Sequence, residues 1–176
     1  MRYLQLIQAV RKKQPSSILE IGTWNGQRAL EMLQEAPCAK YYGFDLFENA
    51  DATTDAEEFN VKRHHRLEEV TRLLKGFDAQ LWKGNTRQTL PLFEEKVDFV
   101  WIDGGHSLET IRSDWENVKR VLEPDAWVFF DDYYTGPIDT DKMGCNKIVQ
   151  ELSHMVLPMT DPVMGGGWVQ MVRVYP

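Results

Sequence analysis

Only two cysteines, Cys38 and Cys145, occur in the 176 residues. Two thiols without metal-ligand spacing cannot build a disulfide framework or a thiolate metal centre, so a reduced, cytoplasmic compartment is expected. No apolar run approaches the roughly 18–20 residues that cross a bilayer, so no membrane partner is expected. The opening MRYLQLIQAVRKKQ carries charge at both ends of a short apolar stretch and has no small-residue cleavage site; it reads as mature protein. An excess of positive charge is also missing. Lys plus Arg number 20 against 27 Asp plus Glu, a net charge of −7, which argues against a nucleic-acid partner and against an RNA-modifying role. Repeats and low-complexity tracts are absent. So are the G-x-G-x-x-G dinucleotide fingerprint and the Gly-rich loop with Lys-Ser/Thr that cradles phosphates.

What is present is an ordinary globular composition, 43% apolar and 27% charged. The length suits one domain over residues 1–176. Short apolar runs alternate with helical patterns. Residues 3–13 form an amphipathic N-terminal helix within segment 1–16, stopped by Pro15. Strands are expected at 17–22, 41–46, 79–83, 97–102 and 126–130, with Pro124 and Asp125 turning the chain before the last. Helices are expected at 27–36, 66–75, after the cap Ser107, and at 144–154. Residues 47–61 are acidic and irregular, and the stretch 47–66 is long enough to serve as a substrate lid. Its cationic Lys62-Arg63-His64-His65-Arg66 either faces an anionic group or balances the acidic residues before it. Runs at 156–159 and 168–174 close the chain as an antiparallel edge, and such an exposed edge allows a homodimer. The expectation is an α/β fold: a doubly wound, mostly parallel seven-stranded sheet, Rossmann-like, with ligands outside the carboxyl ends of its strands.

Residues just after each strand therefore carry the chemistry. The first strand ends Glu20-Ile-Gly-Thr-Trp-Asn-Gly26, where glycine lets the backbone pass close to a ligand. Asp45 closes the second strand, where an acid can accept hydrogen bonds from both ribose hydroxyls. Gly84-Asn-Thr follows the third; Asn85 and Thr86 are equally a helix cap or an adenine contact. Asp103 ends the fourth strand and Asp131-Asp132 end the fifth. Three adjacent carboxylates repel one another unless a cation or nearby Lys and Arg relieve them; hard oxygen ligands would favour Mg²⁺, Mn²⁺ or Ca²⁺ over Zn²⁺. His106, three residues after Asp103, suits a general base near neutral pH, and Gly104 and Gly105 allow a sharp turn before it. His64, His65 and His154 read as surface histidines. Tyr133, Tyr134 and Trp168 either line an apolar acceptor pocket or belong to the core.

This constellation resembles the class I S-adenosylmethionine-dependent methyltransferases. The resemblance implies that Glu20, Gly22, Thr23, Trp24, Gly26, Asp45, Leu46 and Asp103 hold the cofactor, with Asn85 and Thr86 near its adenine. Asp103-Gly-Gly-His-Ser, the later Asp131-Asp-Tyr and Gly144-Cys-Asn-Lys-Ile-Val look like the macrocin-type sugar O-methyltransferases. In that subgroup the matching Asp103, Asp131 and Asp132 would bind Mg²⁺ and His106 would be the base. The implied activity is O-methylation of a small hydroxylated molecule assisted by a divalent cation. The alternatives are a metal-independent N- or O-methyltransferase and a non-catalytic cofactor-binding protein. Only 16 residues precede the first strand, fewer than the subgroup usually has, and Gly105 stands where many relatives carry a polar residue.

Overall fold

The computed structural model describes residues 2–58, 63–141 and 143–176. The elements follow in the order α1 (Tyr3–Lys13), β1 (Ser17–Ile21), α2 (Gln27–Glu35), β2 (Lys40–Asp45), α3 (Ala52–Glu57), α4 (Leu67–Leu73) and β3 (Ala79–Lys83). Then come α5 (Thr86–Thr89), β4 (Val97–Ile102), α6 (Leu108–Val121), β5 (Leu122–Thr135), α7 (Gly144–Gln150), β6 (His154–Val163) and β7 (Gly167–Val174). The seven strands make one sheet in the order β3-β2-β1-β4-β5-β7-β6. The pairs β1–β2, β1–β4, β2–β3 and β4–β5 are parallel, and β7 runs antiparallel to both β5 and β6. This is the expected doubly wound architecture. Its order reverses between β1 and β4, so the crevice for a ligand opens beyond their carboxyl ends.

The central strands are mostly apolar because both faces are covered. Leu19, Ile21, Val100, Ile102, Val128 and Phe130 pack with Ile111, Trp115 and Val118 of α6 and with Ile148 and Val149 of α7. Their alternating neighbours Ile18, Phe99, Trp101 and Phe129 pack with Leu6 and Val10 of α1, Ala29, Met32 and Leu33 of α2, and Val70 of α4. Each large side chain so buried contributes roughly 1.5–3 kcal/mol. Among the described residues no helix is long and apolar enough to cross a membrane.

Strand β5, at both its ends, and the segment after β2 depart from the sequence reading. Strand β5 begins at Leu122 and does not turn at Pro124; Leu122 pairs with Val97, and the ladder then slips before Phe99 meets Trp127. A proline beside that slip costs no ladder bond. The same strand runs on past Phe130 to pair Tyr133, Tyr134 and Thr135 with β7 across a second irregularity. Asp131 and Asp132 therefore lie within β5, at a bulge, instead of after its end. Finally, the segment expected to be irregular contains α3. Its signal was a capping box: the Asp51 carboxylate accepts from the Thr53 and Thr54 amides at 3.0 and 2.9 Å, and the Asp51 amide donates to Thr54 Oγ1 at 2.8 Å.

One buried group works against the fold. Asp114 of α6 is fully buried, and neither carboxylate oxygen has a hydrogen-bond partner among the described residues. Burial pushes its carboxyl up to about 7, with Glu58 adding to the rise and Thr86 and Arg87 opposing it. The folded state then holds a proton that the unfolded chain has already released, so this group lowers stability as pH climbs from about 4 to about 7. Asp114→Asn should raise the thermal midpoint by several degrees at pH 8 and by clearly less at pH 5, read by calorimetry.

Candidate active site

The ends of β1 and β4 are pinched together. Gly22 has φ +90°, and a Cβ built on it would lie 2.0 Å from the Asp103 carbonyl oxygen; one on Gly104 would lie 2.7 Å from Ile21 Cγ2. Gly26 has φ +75° and abuts Val70 of α4 at 2.7 Å on the same test. The glycines of the first loop are thus required by protein backbone and packing, a constraint separate from the close ligand approach that the sequence reading expected of them.

Beyond this pinch lies a cavity of about 340 Å³, within the size class of small-molecule sites. Of the sequence-derived residues, Glu20, Gly22, Thr23, Trp24, Asp45, Leu46, Asn85, Thr86, Asp103 and His106 line it. Gly26, Asp131 and Asp132 stand behind the wall. Tyr133, Tyr134 and Trp168 do not line it either; Tyr133 packs on the core, and the Tyr134 amide and carbonyl are held by buried Asn146 at 3.0 and 2.8 Å. That contact accounts for the Asn of Gly144-Cys-Asn. Gly144 itself admits α7 against residues 106–107, since its Cβ would meet the Ser107 carbonyl oxygen at 2.7 Å.

Each end of the cavity has its own electrostatics. Asp45 accepts the Trp24 amide at 2.7 Å and the Phe47 amide at 2.6 Å. Burial pushes its carboxyl above the usual range, against the pull of those two bonds. Glu20 is buried, its carboxyl receiving the Tyr41 hydroxyl, which also lies 3.3 Å from Thr23 Oγ1. Burial lifts Glu20 to about 8, so it is largely neutral at pH 7, although Tyr41 and the charge of Arg28 oppose the shift. Asn85 caps α5 by accepting the Arg87 amide at 3.0 Å, and it also lines the cavity.

At the other end, His106 Nδ1 lies 2.7 Å from the Glu58 carbonyl oxygen and Nε2 lies 2.8 Å from Asp132 Oδ2. The Glu58 carboxylate accepts the Ser107 amide at 2.8 Å and the Ser107 hydroxyl at 3.0 Å, and it also takes the Thr110 hydroxyl. The segment following Asp45 is thereby clasped onto the start of α6. Gly105 is small because of this clasp, since a Cβ there would come within 2.5 Å of Glu58 Oε2. Thr54, Asp55, Glu57, Glu58 and His64 all face the cavity. The cationic stretch is balanced locally: His64 Nε2 lies 2.7 Å from Asp55 and His65 Nδ1 3.5 Å from Glu69. Lys62 lies outside the described residues.

The sequence reading missed the contribution of the N-terminal helix. Tyr3 lines the cavity, and the Arg28 guanidinium sits 4.0 Å from its ring centre. Arg2 enters the acidic rim, its Nε and Nη2 bonding Asp131 Oδ1 and Oδ2 at 2.8 and 2.9 Å. It also reaches Asp161 at 3.1 Å and Asp132 at 3.6 Å. Burial raises the Asp131 carboxyl and Arg2 pulls it back down. Of the two remedies for crowded carboxylates, cation or basic side chain, the structure supplies the basic side chain. Among the described residues no group of three or more His, Cys, Asp or Glu side chains is arranged to hold a metal ion. The expected Mg²⁺ ligands do not fit that role in this arrangement, because both oxygens of Asp131 already bond a guanidinium. The only sequence signal for Arg2 was a basic residue ahead of an amphipathic helix, which says nothing of its distant partners.

The pinch can be tested directly. Gly22→Ala should cost at least about 2 kcal/mol by urea denaturation, because left-handed strain and a backbone clash add. Gly76→Ala, with φ +108° and nothing within 4 Å of its Cβ, carries the strain alone and should cost less.

A family model for a methyltransferase domain matches residues 19–133. No curated protein matches the chain in sequence. Among solved structures, the O-methyltransferase TomG from Streptomyces achromogenes, involved in tomaymycin synthesis and solved with S-adenosylmethionine, superposes with a TM-score of 0.69 at 16% identity, over 98% of this chain and 78% of that one. The Bacillus cereus O-methyltransferase, solved with S-adenosylhomocysteine, gives 0.67 at 14% identity, over 99% and 80%. Cofactor-bound Rv0187 from MTB gives 0.69 at 16%, over 98% and 78%. The chain has the class I S-adenosylmethionine-dependent methyltransferase fold and belongs to the methyltransferase domain family.

Proposed function

We propose that the protein transfers a methyl group from S-adenosylmethionine to a hydroxyl oxygen of a small molecule. The observation that carries this reading is one cavity with Asp45 and Asn85 along its wall and His106 also facing it. The O-methyltransferases TomG and that of Bacillus cereus share the fold. The residues suit the cofactor: Asp45 can take ribose hydroxyls on the lone pairs its backbone bonds leave, and Asn85 and Thr86 line the cavity where an adenine would lie. Arg28 supplies positive charge beside the cavity for a carboxylate. When bound, the cofactor supplies an electrophilic methyl group on a sulfonium.

The chain's own part is to hold the acceptor and take its proton. A carbonyl oxygen can only accept, so Glu58 fixes a proton on His106 Nδ1, while Nε2 faces the Asp132 carboxylate at 2.8 Å, where the His106–Asp132 pair can share one further proton. The base toward an acceptor hydroxyl is this pair without its shared proton, and the proton it takes from the hydroxyl ends on Nε2. The imidazolium so formed has an oxygen acceptor at each N–H, Glu58 on one side and Asp132 on the other, which stabilises the charge as it develops. The clasped segment 52–58 covers the cavity and limits water around the reacting oxygen. No step in this reading passes through a divalent cation.

Calorimetry should show S-adenosylhomocysteine binding that Asp45→Ala weakens by at least about tenfold, as expected for losing bonds to a buried carboxylate. His106→Gln should lower kcat roughly 10²–10⁴-fold and leave that affinity unchanged. Binding without transfer to any hydroxylated acceptor would instead mark a non-catalytic cofactor-binding protein; transfer to amines alone would mark an N-methyltransferase.

A further inference from the structure

The acidic rim beside the cavity holds a cation of its own. Arg2 is largely shielded from solvent, with 13% of its side chain exposed. Its polar contacts converge from three directions: a two-point fork onto Asp131 of β5, Nη1 onto Asp161 of β6 at 3.1 Å, and Nη2 onto the Tyr3 hydroxyl at 2.9 Å. The guanidinium also lies 4.5 Å from the Tyr3 ring centre and 3.6 Å from Asp132 Oδ1. Asp132 is shared, with its other oxygen on His106. It stands at φ +58° in the β5 bulge, a conformation that needs support from its surroundings in a residue other than glycine. A planar fork matched to a carboxylate supplies that support with fixed geometry, which a point charge would not. A divalent ion bound by the same carboxylates would have to sit within a few ångströms of this guanidinium, with like charges opposed.

We infer that Arg2 is the resident cation of the rim, standing where a divalent ion would otherwise neutralise Asp131 and Asp132. It is a positioning residue: it holds the Asp131–Asp132 bulge so that Asp132 faces His106, and the methyl transfer proposed above, on which this inference rests, runs without metal.

The test is an electron paramagnetic resonance titration of Mn²⁺ onto the intact chain, with chelator added in a parallel activity assay. The wild type should take up no stoichiometric ion, and its turnover should be unchanged in excess chelator. Arg2→Ala should take up Mn²⁺ more tightly than wild type and turn over more slowly, whereas Arg2→Lys, which keeps the charge, should exclude the ion and recover part of the rate. Arg2→Met preserves the packing of the stem and replaces the alanine variant if that one fails to fold. Uptake of one ion per wild-type chain overturns the inference, as does a folded Arg2→Ala or Arg2→Met protein with no gain in affinity over wild type. The ion titration needs no methyl acceptor. Failure of the methyltransferase reading would appear separately, as absent S-adenosylhomocysteine binding.

Discussion

The close approach of β1 and β4 at their carboxyl ends organises everything downstream. These two strands sit side by side in the middle of the sheet, and the first turn after each meets the other, Gly22 against the Asp103 backbone and Gly104 against the Ile21 side chain. A side chain at Gly22 would displace main chain, and one at Gly104 would displace the Ile21 side chain. The turns are therefore forced outward together, and the loops after β2 and β3 complete a cavity around them. Close-packed interiors transmit such constraints because they have no slack to absorb them.

Around that pinch, the arrangement of charge decides the chemistry. Glu20 is buried and largely neutral at pH 7, so it adds little negative potential to the floor of the cavity. Asp45 is spoken for by two amides, yet each oxygen keeps lone-pair capacity toward the cavity. The rim has the greater burden: burial first, and then the charges of Asp103, Asp131 and Asp132, push the ionisation of Tyr3 or Cys145 nearby upward. Arg2 and His106 answer this concentration of negative charge from opposite sides of Asp132. A residue from the N-terminal helix and one from the β4–α6 loop thus set the state of a carboxylate on β5.

The segment after β2 ties the rest together. Its Glu58 satisfies the part-buried Ser107 amide at the start of α6 and, through its carbonyl, orients His106. One residue thereby couples closure of the cavity to the orientation of the proposed base. Trp24 anchors the same region from the other end, its indole N–H donating to the Arg63 carbonyl at 2.7 Å.

Much of this could be read along the chain. Apolar periodicity located the central strands and most of the helices, because burial on one face or two leaves a periodic imprint. The positions of Glu20, Asp45 and Asp103 at strand ends followed from the rule that parallel sheets bind ligands there. The sequence also stated that three carboxylates needed a counter-charge. What it could not state was the source. Arg2 and Asp161 lie 129 and 30 residues from Asp131, and no local pattern records that β6 and α1 bring them to one rim. The bulge that places Asp131 and Asp132 inside β5 arises from pairing with β7, and the purpose of Gly105 is visible only beside Glu58. Residue types and spacing determined the elements and their order. Long-range contacts, which have no local signature, decided which charges meet and which acceptors the two nitrogens of His106 face.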